Sequence, residues 1–299
     1  MYNNKLVELE NGIIPENDIG ATICKLCGAI STDGTIYKQN KIWNNYPISS
    51  YYFEITDEWY ENILLVSEWI FKLINKKGSI KPYKGAYRFR IGNKALVKYL
   101  VSLGIPYGQK CETISIPNKI FMMDNDFLLA FITSAIMFDG TVKLDGTIEF
   151  STISKKLRDQ IVKILKMNNV KVKKFKQKFE RWSDKWKYGF YSKSFDFFLD
   201  ILEGPKKEKL NLIRRGKEMN LKELLNLFPE RAQSKGPILK EIYNQILHND
   251  GISFKKLKRN IEKILKIKVH RNTILLYLNL LVKSKIMIRT KRGCYKIVK

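Results

Sequence analysis

A short segment occurs twice in the chain, and its repetition limits the folds that the sequence can adopt. The first copy reads GAISTDGTI from Gly28 to Ile36, and the second reads SAIMFDGTV from Ser134 to Val142. Each has a small residue and an alanine, and later an Asp-Gly-Thr sequence followed by a branched apolar residue. Two such copies predict an internal repeat, in which both halves of a domain are built on one plan.

The sequence that follows each copy supports this prediction. Asp33 and Asp139 are both followed by two β-rich runs around a polar turn, and then by an amphipathic helix. We predict that Thr56 and Ser154 are the N-caps of these helices. A second hairpin and a short helix come next in both halves. The sequence therefore predicts an α+β fold with two αββαββα repeats related by a pseudo-two-fold axis.

The pattern also predicts how the chain is divided. We expect an N-terminal arm at 1–14, a first repeat at 15–116 and a second repeat at 117–225. Residues 226–236 read as a linker because proline and glycine interrupt the helical pattern there. Residues 237–299 contain three helical segments and then two short strands around a basic turn, a pattern that resembles winged helix-turn-helix DNA-binding domains.

The charge of the chain indicates a polyanionic partner. It has 55 Lys and Arg residues against 29 Asp and Glu, a net charge of +26. Such an excess favours nucleic acid, because phosphate contacts release counterions, although a solvated basic surface is the alternative. No apolar run approaches the roughly 20 residues of a membrane span. The N-terminal residues do not have the pattern of a signal peptide. We therefore expect a soluble, cytoplasmic protein with no membrane partner.

Cysteine and histidine contribute little to the predicted chemistry. Cys24 and Cys27 have zinc-like spacing, but they lie in an apolar segment with no second cysteine pair nearby, which favours small buried cysteines. The only histidines are His248 and His270. Chemistry in the two repeats must therefore rely on carboxylates.

The repeated segments carry a family resemblance. LCGAISTDG at 26–34 resembles the motif that names the LAGLIDADG homing endonucleases, and Gly28 falls on the central glycine of that motif. ITSAIMFDG at 132–140 is a weaker match that keeps the final Asp-Gly and has Ser134 in place of the glycine. Two motifs in one chain resemble the monomeric members of this family, so we expect a monomer.

The small residues of the motifs predict that two helices approach closely and bring Asp33 and Asp139 together at their C-termini. Two carboxylates at the negative ends of helix dipoles repel each other, and a hard divalent cation such as Mg²⁺ would offset this. The resemblance implies that each aspartate binds Mg²⁺ or Mn²⁺ and serves one strand of the DNA. The alternative is structural, with Gly34 and Gly140 as left-handed helix caps.

The resemblance also implies a lysine near each metal, for which Lys84 and Lys187 on the second hairpins are candidates. Period-two alternation places Arg88 and Arg90 on the open face of a sheet. In the corresponding strand of the second repeat, a slip at Lys174 would keep the following lysines on the open face. The residues that we predict to contact DNA are Lys38, Lys41, Arg88, Arg90, Lys143, Lys171, Lys173, Lys176, Lys178, Arg181, Lys268, His270, Arg271, Asn272, Lys291 and Arg292.

These observations favour a site-specific endonuclease that cuts double-stranded DNA with one aspartate per motif. A second hypothesis is a DNA-binding transcription regulator that has kept the scaffold and lost the cutting activity, which the winged-helix pattern favours. A third is an intron maturase that binds RNA through the same basic surface.

Overall fold

The computed structural model describes residues 13–43, 46–108, 112–143, 145–179, 182–215, 223, 225, 235–249, 251–291 and 294–298. The chain divides into two compact units, Met1–Glu208 and Lys209–Lys299. The predicted N-terminal arm and linker lie largely outside the described residues. Within the described ranges, no helix is long and apolar enough to cross a membrane.

The first half of the first unit has the predicted αββαββα order. Its strands form an antiparallel sheet in the order β1-β2-β4-β3. The elements are α1 (Asp18–Thr32), β1 (Gly34–Trp43), β2 (Tyr46–Asp57), α2 (Tyr60–Ile74), β3 (Ser79–Tyr83), β4 (Ala86–Gly92) and α3 (Lys94–Ser102).

The second half repeats this order after a short extra helix. Its sheet has the matching order β5-β6-β8-β7. The elements are α4 (Asn118–Phe121), α5 (Asn125–Asp139), β5 (Gly140–Val142), β6 (Ile148–Thr152), α6 (Lys155–Met167), β7 (Val172–Phe179), β8 (Trp182–Ser192), α7 (Phe195–Ile201) and α8 (Gly204–Arg215). The predicted fold of two αββαββα repeats is thus confirmed.

Close packing of α1 against α5 forms the centre of this unit. A Cβ atom on Gly28 would lie 2.2 Å from both the Phe131 carbonyl oxygen and Ser134 Oγ, so the two backbones leave no room for a larger residue. Nearer the helix N-termini, a Cβ on Gly20 would lie 3.0 Å from the ring of Phe127. The two contacts follow the same order along both helices, so α1 and α5 run side by side in one direction.

The strand register relates the two repeats residue by residue. Gly34 pairs with Ile55 in the first sheet, and Gly140 pairs with Phe150 in the second. The next pairs along are Thr35 with Glu54 and Thr141 with Glu149. Glu54 and Glu149 therefore hold equivalent positions, one residue before a buried apolar side chain on the second strand of each sheet.

One predicted helix cap is wrong and the other is confirmed. Thr56 does not cap α2, because β2 continues to Asp57 and the helix begins at Tyr60 after Trp59. The Asp57 carboxylate accepts a hydrogen bond of 2.6 Å from the Trp59 N–H, so the acid makes the turn between strand and helix. Ser154 caps α6 as predicted and accepts from the Leu157 N–H.

From residue 235 onward, the described part of the second unit contains three helices and a two-stranded antiparallel sheet. The elements are α9 (Lys235–His248), α10 (Phe254–Leu265), α11 (Arg271–Lys283), β9 (Met287–Lys291) and β10 (Cys294–Ile297). Its buried side chains include Leu257, Ile261, Ile274 and Leu278, at helical spacing on α10 and α11. Ser253, the N-cap of α10, forms an isolated antiparallel bridge with Cys294, which adds a short third segment beside the hairpin.

Candidate functional site

Asp33 and Asp139 occupy the same structural position in the two repeats, at the corner between the first helix and the first strand. Asp33 is the C-cap of α1 and is exposed, and its N–H donates to the Ala29 carbonyl. Asp139 is the last residue of α5 and is half-buried. Because α1 and α5 run in one direction and touch near their C-termini, both aspartates lie at one end of the helix pair.

The glycines that follow the aspartates are not left-handed caps. Gly140 is extended, with φ −79° and ψ 160°, and Gly34 does not have a positive φ either. They are needed for space. A Cβ on Gly140 would lie 2.4 Å from the Ile136 carbonyl oxygen, and one on Gly34 would lie 2.8 Å from the Ile30 Cα. Each glycine lets the strand start directly against its own helix.

A buried lysine lies beside the two helix ends. Lys206, in the first turn of α8, is fully buried, and its Nζ donates to three carbonyl groups at the end of α5. Burial lowers the pKa of Lys206, while the carboxylates of Asp57, Asp33 and Asp139 oppose that shift. The ammonium group therefore interacts with both repeat aspartates and offers a compensating positive charge.

Asp57 and Asn62 complete a buried polar cluster with Lys206. The Asn62 amide donates to Asp57 Oδ1 at 3.2 Å and to the Met137 carbonyl at 3.3 Å. Burial raises the pKa of Asp57 to about 6, and the charge of Lys206 acts in the opposite direction. This cluster could not be predicted from the sequence pattern, since Lys206 lies in a GPKKEK segment that is typical of a solvated surface.

Oxygen atoms are the donors that this end of the helix pair offers to a metal. No group of three or more His, Cys, Asp or Glu side chains suited to a metal ion occurs within the described part of the chain. Mg²⁺ is commonly held by one or two carboxylates together with substrate phosphates, so the carboxylates of Asp33 and Asp139 are ligands of the kind that this ion takes. Cys24 and Cys27 are buried, and burial raises the pKa of both thiols.

The open face of the first sheet carries the predicted arginines. Arg88 and Arg90 alternate with buried Phe89, and both approach Glu54, at 3.4 and 4.0 Å. Their guanidinium groups lie 4.2 Å from the Tyr83 ring centre and 4.1 Å from the Tyr52 ring centre, respectively. The register places Lys41 on this face and Lys38 on the opposite one, where Lys38 lies over Tyr51.

The open face of the second sheet has an equivalent arrangement around Glu149. Lys143 Nζ lies 2.9 Å from the Glu149 carboxylate, and the predicted candidate Lys187 lies 4.0 Å from it. Lys143 also lies over the ring of Tyr191, which stacks on Phe175 with 4.6 Å between ring centres. Glu54 and Glu149 were missed, although an acid between apolar residues, FEI in one repeat and IEF in the other, was the available signal.

The predicted slip at Lys174 is wrong. The pairing of β7 with β8 runs without a shift from Val172 to Lys178, and the irregularity lies between Lys178 and Phe179. Alternation therefore places Lys173 on the open face with Phe175. It places Lys176 and Lys178 on the face of Lys174, which pairs with Asp159 of α6. Lys171 precedes the strand and is exposed.

The other predicted residues lie in several surroundings. Lys84 is exposed in the β3–β4 turn with φ 45°, and its Nζ lies 5.3 Å from the Tyr83 ring centre. His270 caps α11 and accepts from the Asn272 N–H, next to exposed Lys268, Arg271 and Asn272. The structure does not describe Arg181, Arg292 or the side chain of Lys291.

Solved structures share the architecture of the two repeats. The homing endonuclease I-DmoI, in a complex with DNA and Ca, superposes with a TM-score of 0.50 at 19% identity, over 63% of this chain and 92% of I-DmoI. This chain has the LAGLIDADG homing endonuclease fold. The meganuclease I-SmaMI, bound to uncleaveable DNA, also matches, with a TM-score of 0.42 at 15% identity, over 69% of this chain and 93% of that one.

Comparisons of sequence add less to the LAGLIDADG assignment. No protein-family model matches the chain. A curated relative, one of the subunits of the A-type ATP synthase of Pyrococcus abyssi (strain GE5 / Orsay), is 32% identical over 84 residues. That segment spans 28% of this chain but only 8% of the relative, so the match concerns a small part of that protein.

Proposed function

We propose that the chain is a metal-dependent endonuclease that cuts double-stranded DNA at specific sites. The observation that supports this function is the pair of aspartates, one at the end of each central helix of a LAGLIDADG fold. A carboxylate at a helix C-terminus is electrostatically unfavourable, and this chain has two of them at one end of a helix pair. A function that uses both carboxylates accounts for their presence.

In this proposal Asp33 and Asp139 hold Mg²⁺ or Mn²⁺, and each serves one DNA strand. I-DmoI has been solved with DNA and Ca or Mn, and a single-substitution variant of it with DNA in the presence of Mg. When bound, the ion lowers the pKa of a water molecule and stabilises negative charge on the phosphate. Gly28 and Ser134 keep the two helix backbones in contact, which holds the two carboxylates at one end of the helix pair.

The sheets supply the DNA-binding surface in this proposal. Arg88 and Arg90 are held over tyrosine rings by Glu54, so their guanidinium groups are partly ordered before DNA arrives. Lysine and arginine side chains on an open β-surface contact phosphates, and arginine can also pair with guanine in the major groove. The basic net charge of the chain favours the same partner.

We also propose that residues 237–299 form a winged helix-turn-helix domain. The bridge between Ser253 and Cys294 supports it, because a short strand before the second helix commonly pairs with the hairpin in such domains. Arg271 and Asn272 are exposed at the start of the third helix, where a recognition helix contacts bases. This observation favours the second candidate function, a DNA-binding regulator that does not cut.

A cleavage experiment distinguishes the two candidates. The purified chain would be incubated with Mg²⁺ or Mn²⁺ and a randomised duplex library, and bound and cut fragments would be sequenced. Asp33→Asn and Asp139→Asn would be compared with Asp145→Asn. Asp145 is a suitable control because it also precedes a glycine but lies in an exposed turn, where its carboxylate accepts from the Thr147 N–H.

The nuclease predicts defined double-strand cuts that disappear in EDTA and are lost in Asp33→Asn or Asp139→Asn. The Asp145→Asn control should cut normally. A bound sequence motif without cuts, unchanged in all three variants, would refute the nuclease and support the regulator. Tight binding to RNA without DNA cutting would instead support the maturase hypothesis.

A further inference from the structure

Lysines of β7 form a row on the face of the second sheet that lies opposite to the open face. Lys174, Lys176 and Lys178 are alternate residues of this strand, and all three are exposed. Lys174 Nζ lies 2.7 Å from the carboxylate of Asp159 on α6, so the row is on the helix side of the sheet. Alternate residues of a strand are about 6.7 Å apart, which is close to the spacing of successive phosphates along an extended nucleic-acid strand. A duplex bound to the open face would therefore not cover these lysines.

Two aromatic rings of β8 lie on the same face as the lysines. Lys178 pairs with Trp186, and Lys176 pairs with Tyr188. Lys176 Nζ lies 3.9 Å from the Trp186 ring centre and 5.8 Å from the Tyr188 ring centre. Trp186 is 39% exposed, so its ring is not part of the core. An exposed ring among lysines offers a flat apolar surface on which a nucleic-acid base can stack.

A buried arginine of α6 holds the two strands in place below this surface. Arg158 Nη1 donates to the Phe175 carbonyl of β7 at 3.2 Å and to the Gly189 carbonyl of β8 at 3.3 Å. Its guanidinium group also lies 5.5 Å from the Tyr188 ring centre. The lysines and rings therefore project from a pair of strands that is fixed against α6 before any ligand arrives.

The basic surface continues from β7 onto α6. An open cavity of about 450 Å³ lies between the two elements, and three lysines and one acid line it. The acid, Asp159, already contacts Lys174 and Arg158. The surface is thus positively charged beyond the row on β7. The residues that line the cavity are Asp159, Val162, Lys163, Lys166, Met167 and Lys174.

The first repeat shows that the fold itself does not require the row of lysines. By the strand register, Lys174 is equivalent to Ile80 of β3. Lys176 is equivalent to Pro82 in the same way. The first hairpin turns at Gly85, where the second repeat has Trp186. Strand pairing therefore does not account for the lysines and the exposed ring, whereas a bound ligand does.

We propose that Lys174, Lys176, Lys178, Trp186 and Tyr188, which we call the β7–β8 platform, bind a single strand of nucleic acid. The lysines contact successive phosphates, and a base stacks on Trp186. A duplex keeps its bases stacked on each other, so it offers phosphates to this surface but no base to the ring. An acidic protein segment would use the lysines and would not require the exposed ring. The inference goes beyond the proposed nuclease and does not depend on cutting.

A first test measures the binding of oligonucleotides that form no base pairs. End-labelled oligo(U) and oligo(dT) of about 12 nucleotides would be titrated with the full chain at several salt concentrations, and fluorescence anisotropy would be recorded. Lys176→Gln with Lys178→Gln removes two charges from the platform. Lys171→Gln with Lys173→Gln is the matched control, because it removes the same charge from exposed lysines of the same segment, with Lys173 on the open face.

We expect Lys176→Gln with Lys178→Gln to reduce the slope of log affinity against log salt by about 1.4, since each phosphate contact of a single strand contributes about 0.7. The control should leave this slope nearly unchanged. A blunt-ended duplex should bind to the platform variant as tightly as to the wild type, within about twofold. Equal effects of the two double variants on the oligonucleotides, or a matching loss of duplex binding in the platform variant, would overturn the proposal.

A second test examines the ring. Trp186→Ala should weaken oligonucleotide binding at least about fivefold, and Trp186→Phe, which keeps a ring, less than about twofold. Labelled poly-L-glutamate, a polyanion without bases, should bind equally to the wild type and to Trp186→Ala. If Trp186→Ala binds the oligonucleotides normally, or if poly-L-glutamate binds more tightly than they do, the surface is a docking site for acidic proteins and the proposal fails.

The two oligonucleotides also identify the source of the strand. Tighter binding of oligo(U) that depends on the platform assigns RNA, and tighter binding of oligo(dT) assigns single-stranded DNA. Equal affinities show that the platform binds either strand and does not contact the 2′-hydroxyl group. Each of these results supports the proposal, and the absence of platform-dependent binding to both oligonucleotides refutes it. No assay requires a metal ion or cutting, so a failure of the nuclease proposal leaves this outcome unchanged.

Discussion

At the scale of single residues, Gly28 has a position that no larger residue can occupy without a shift of a helix backbone. A Cβ there would lie 2.2 Å from the backbone oxygen of Phe131, which is held in α5 and cannot move aside as a flexible side chain could. We predict that Gly28→Ala lowers the free energy of unfolding by roughly 1–3 kcal/mol, the usual cost of overpacking. Urea unfolding would measure it. Gly92→Ala is the control, since its Cβ would lie 3.5 Å from Tyr52, an ordinary contact, and should change stability little.

Asp57 should make the stability of the protein depend on pH. Its pKa rises from 3.8 to about 6 in the folded protein, chiefly because the carboxyl group is buried. The charge of Lys206 and the hydrogen bonds from Trp59 and Asn62 lower this pKa, and the charge of Glu58 raises it. A raised pKa means that the folded state holds the proton more tightly than the unfolded state. The contribution of Asp57 to stability is thus full below pH 3.8 and is lost as the pH rises through about 6.

Asp57→Asn removes this dependence. Relative to the wild type, we predict that the variant gains about 3 kcal/mol of stability between pH ~4 and pH ~7, from a shift of about two pKa units. Chemical denaturation at several pH values would measure the difference. Asp145→Asn is a control of opposite sign, because the folded protein lowers the pKa of Asp145. A difference between Asp57→Asn and wild type that does not vary with pH would contradict the assignment.

At the scale of helices and strands, periodicity was enough to predict the order of elements. The αββαββα pattern, the aspartate at the end of each first helix and the Ser154 cap all follow from local sequence. The predictions that were wrong depended on contacts between residues that lie far apart in the sequence. The predicted slip at Lys174 followed the spacing of phenylalanines, but Phe175 packs on Tyr191 of the open face, and Arg158 of α6 donates to the carbonyl groups of Phe175 and Gly189.

The same limit explains why Lys206 was missed. Its surroundings are formed by the ends of α5 and α2, which lie far from it in the sequence. A basic residue in a charged segment is usually solvated, and local patterns carry no information about a buried helix end elsewhere in the fold. The places of Asp33 and Asp139 at the ends of α1 and α5 could be predicted because the repeat itself marks both positions.

The paired arginines of β4 lead to a prediction for DNA binding. Arg88 and Arg90 lie side by side on the open face, next to Tyr83 and Tyr52. We predict that Arg88→Ala with Arg90→Ala weakens DNA binding and reduces the slope of log affinity against log salt by about 2, since each phosphate that is no longer neutralised removes about 0.9. Fluorescence anisotropy at several salt concentrations would measure both quantities.

The control for this prediction is Lys72→Ala with Lys98→Ala. Both lysines are exposed, but they lie on α2 and α3, away from the open face of the sheet. The control removes the same net charge and should leave the salt slope nearly unchanged. If both double variants reduced the slope equally, the effect would be one of total charge, and the open face would not be the binding surface.

At the scale of the whole molecule, the chain combines two compact units that each present basic side chains. In the first unit the carboxylates and the basic sheets belong to one LAGLIDADG fold, so in the proposed function cutting and base contact depend on the same scaffold. In the second unit, exposed Arg271 and Asn272 follow the His270 cap, at the N-terminus of a helix. If this unit binds DNA, the two units together recognise a longer site than either one alone.

This division predicts that sequence recognition by the second unit can be removed without moving the cut. Arg271→Ala with Asn272→Ala should remove protection at one end of the footprint and weaken binding by about 1–3 kcal/mol for each base that is no longer contacted. Since Asp33 and Asp139 belong to the other unit, the position of the cut should not change. Footprinting and mapping of the cut ends on one duplex would measure both effects.

The control within the same unit is Lys240→Ala, which changes an exposed lysine on α9. A full-length footprint in the double variant would show that the second unit does not contact DNA through this helix, which would favour a protein partner for it.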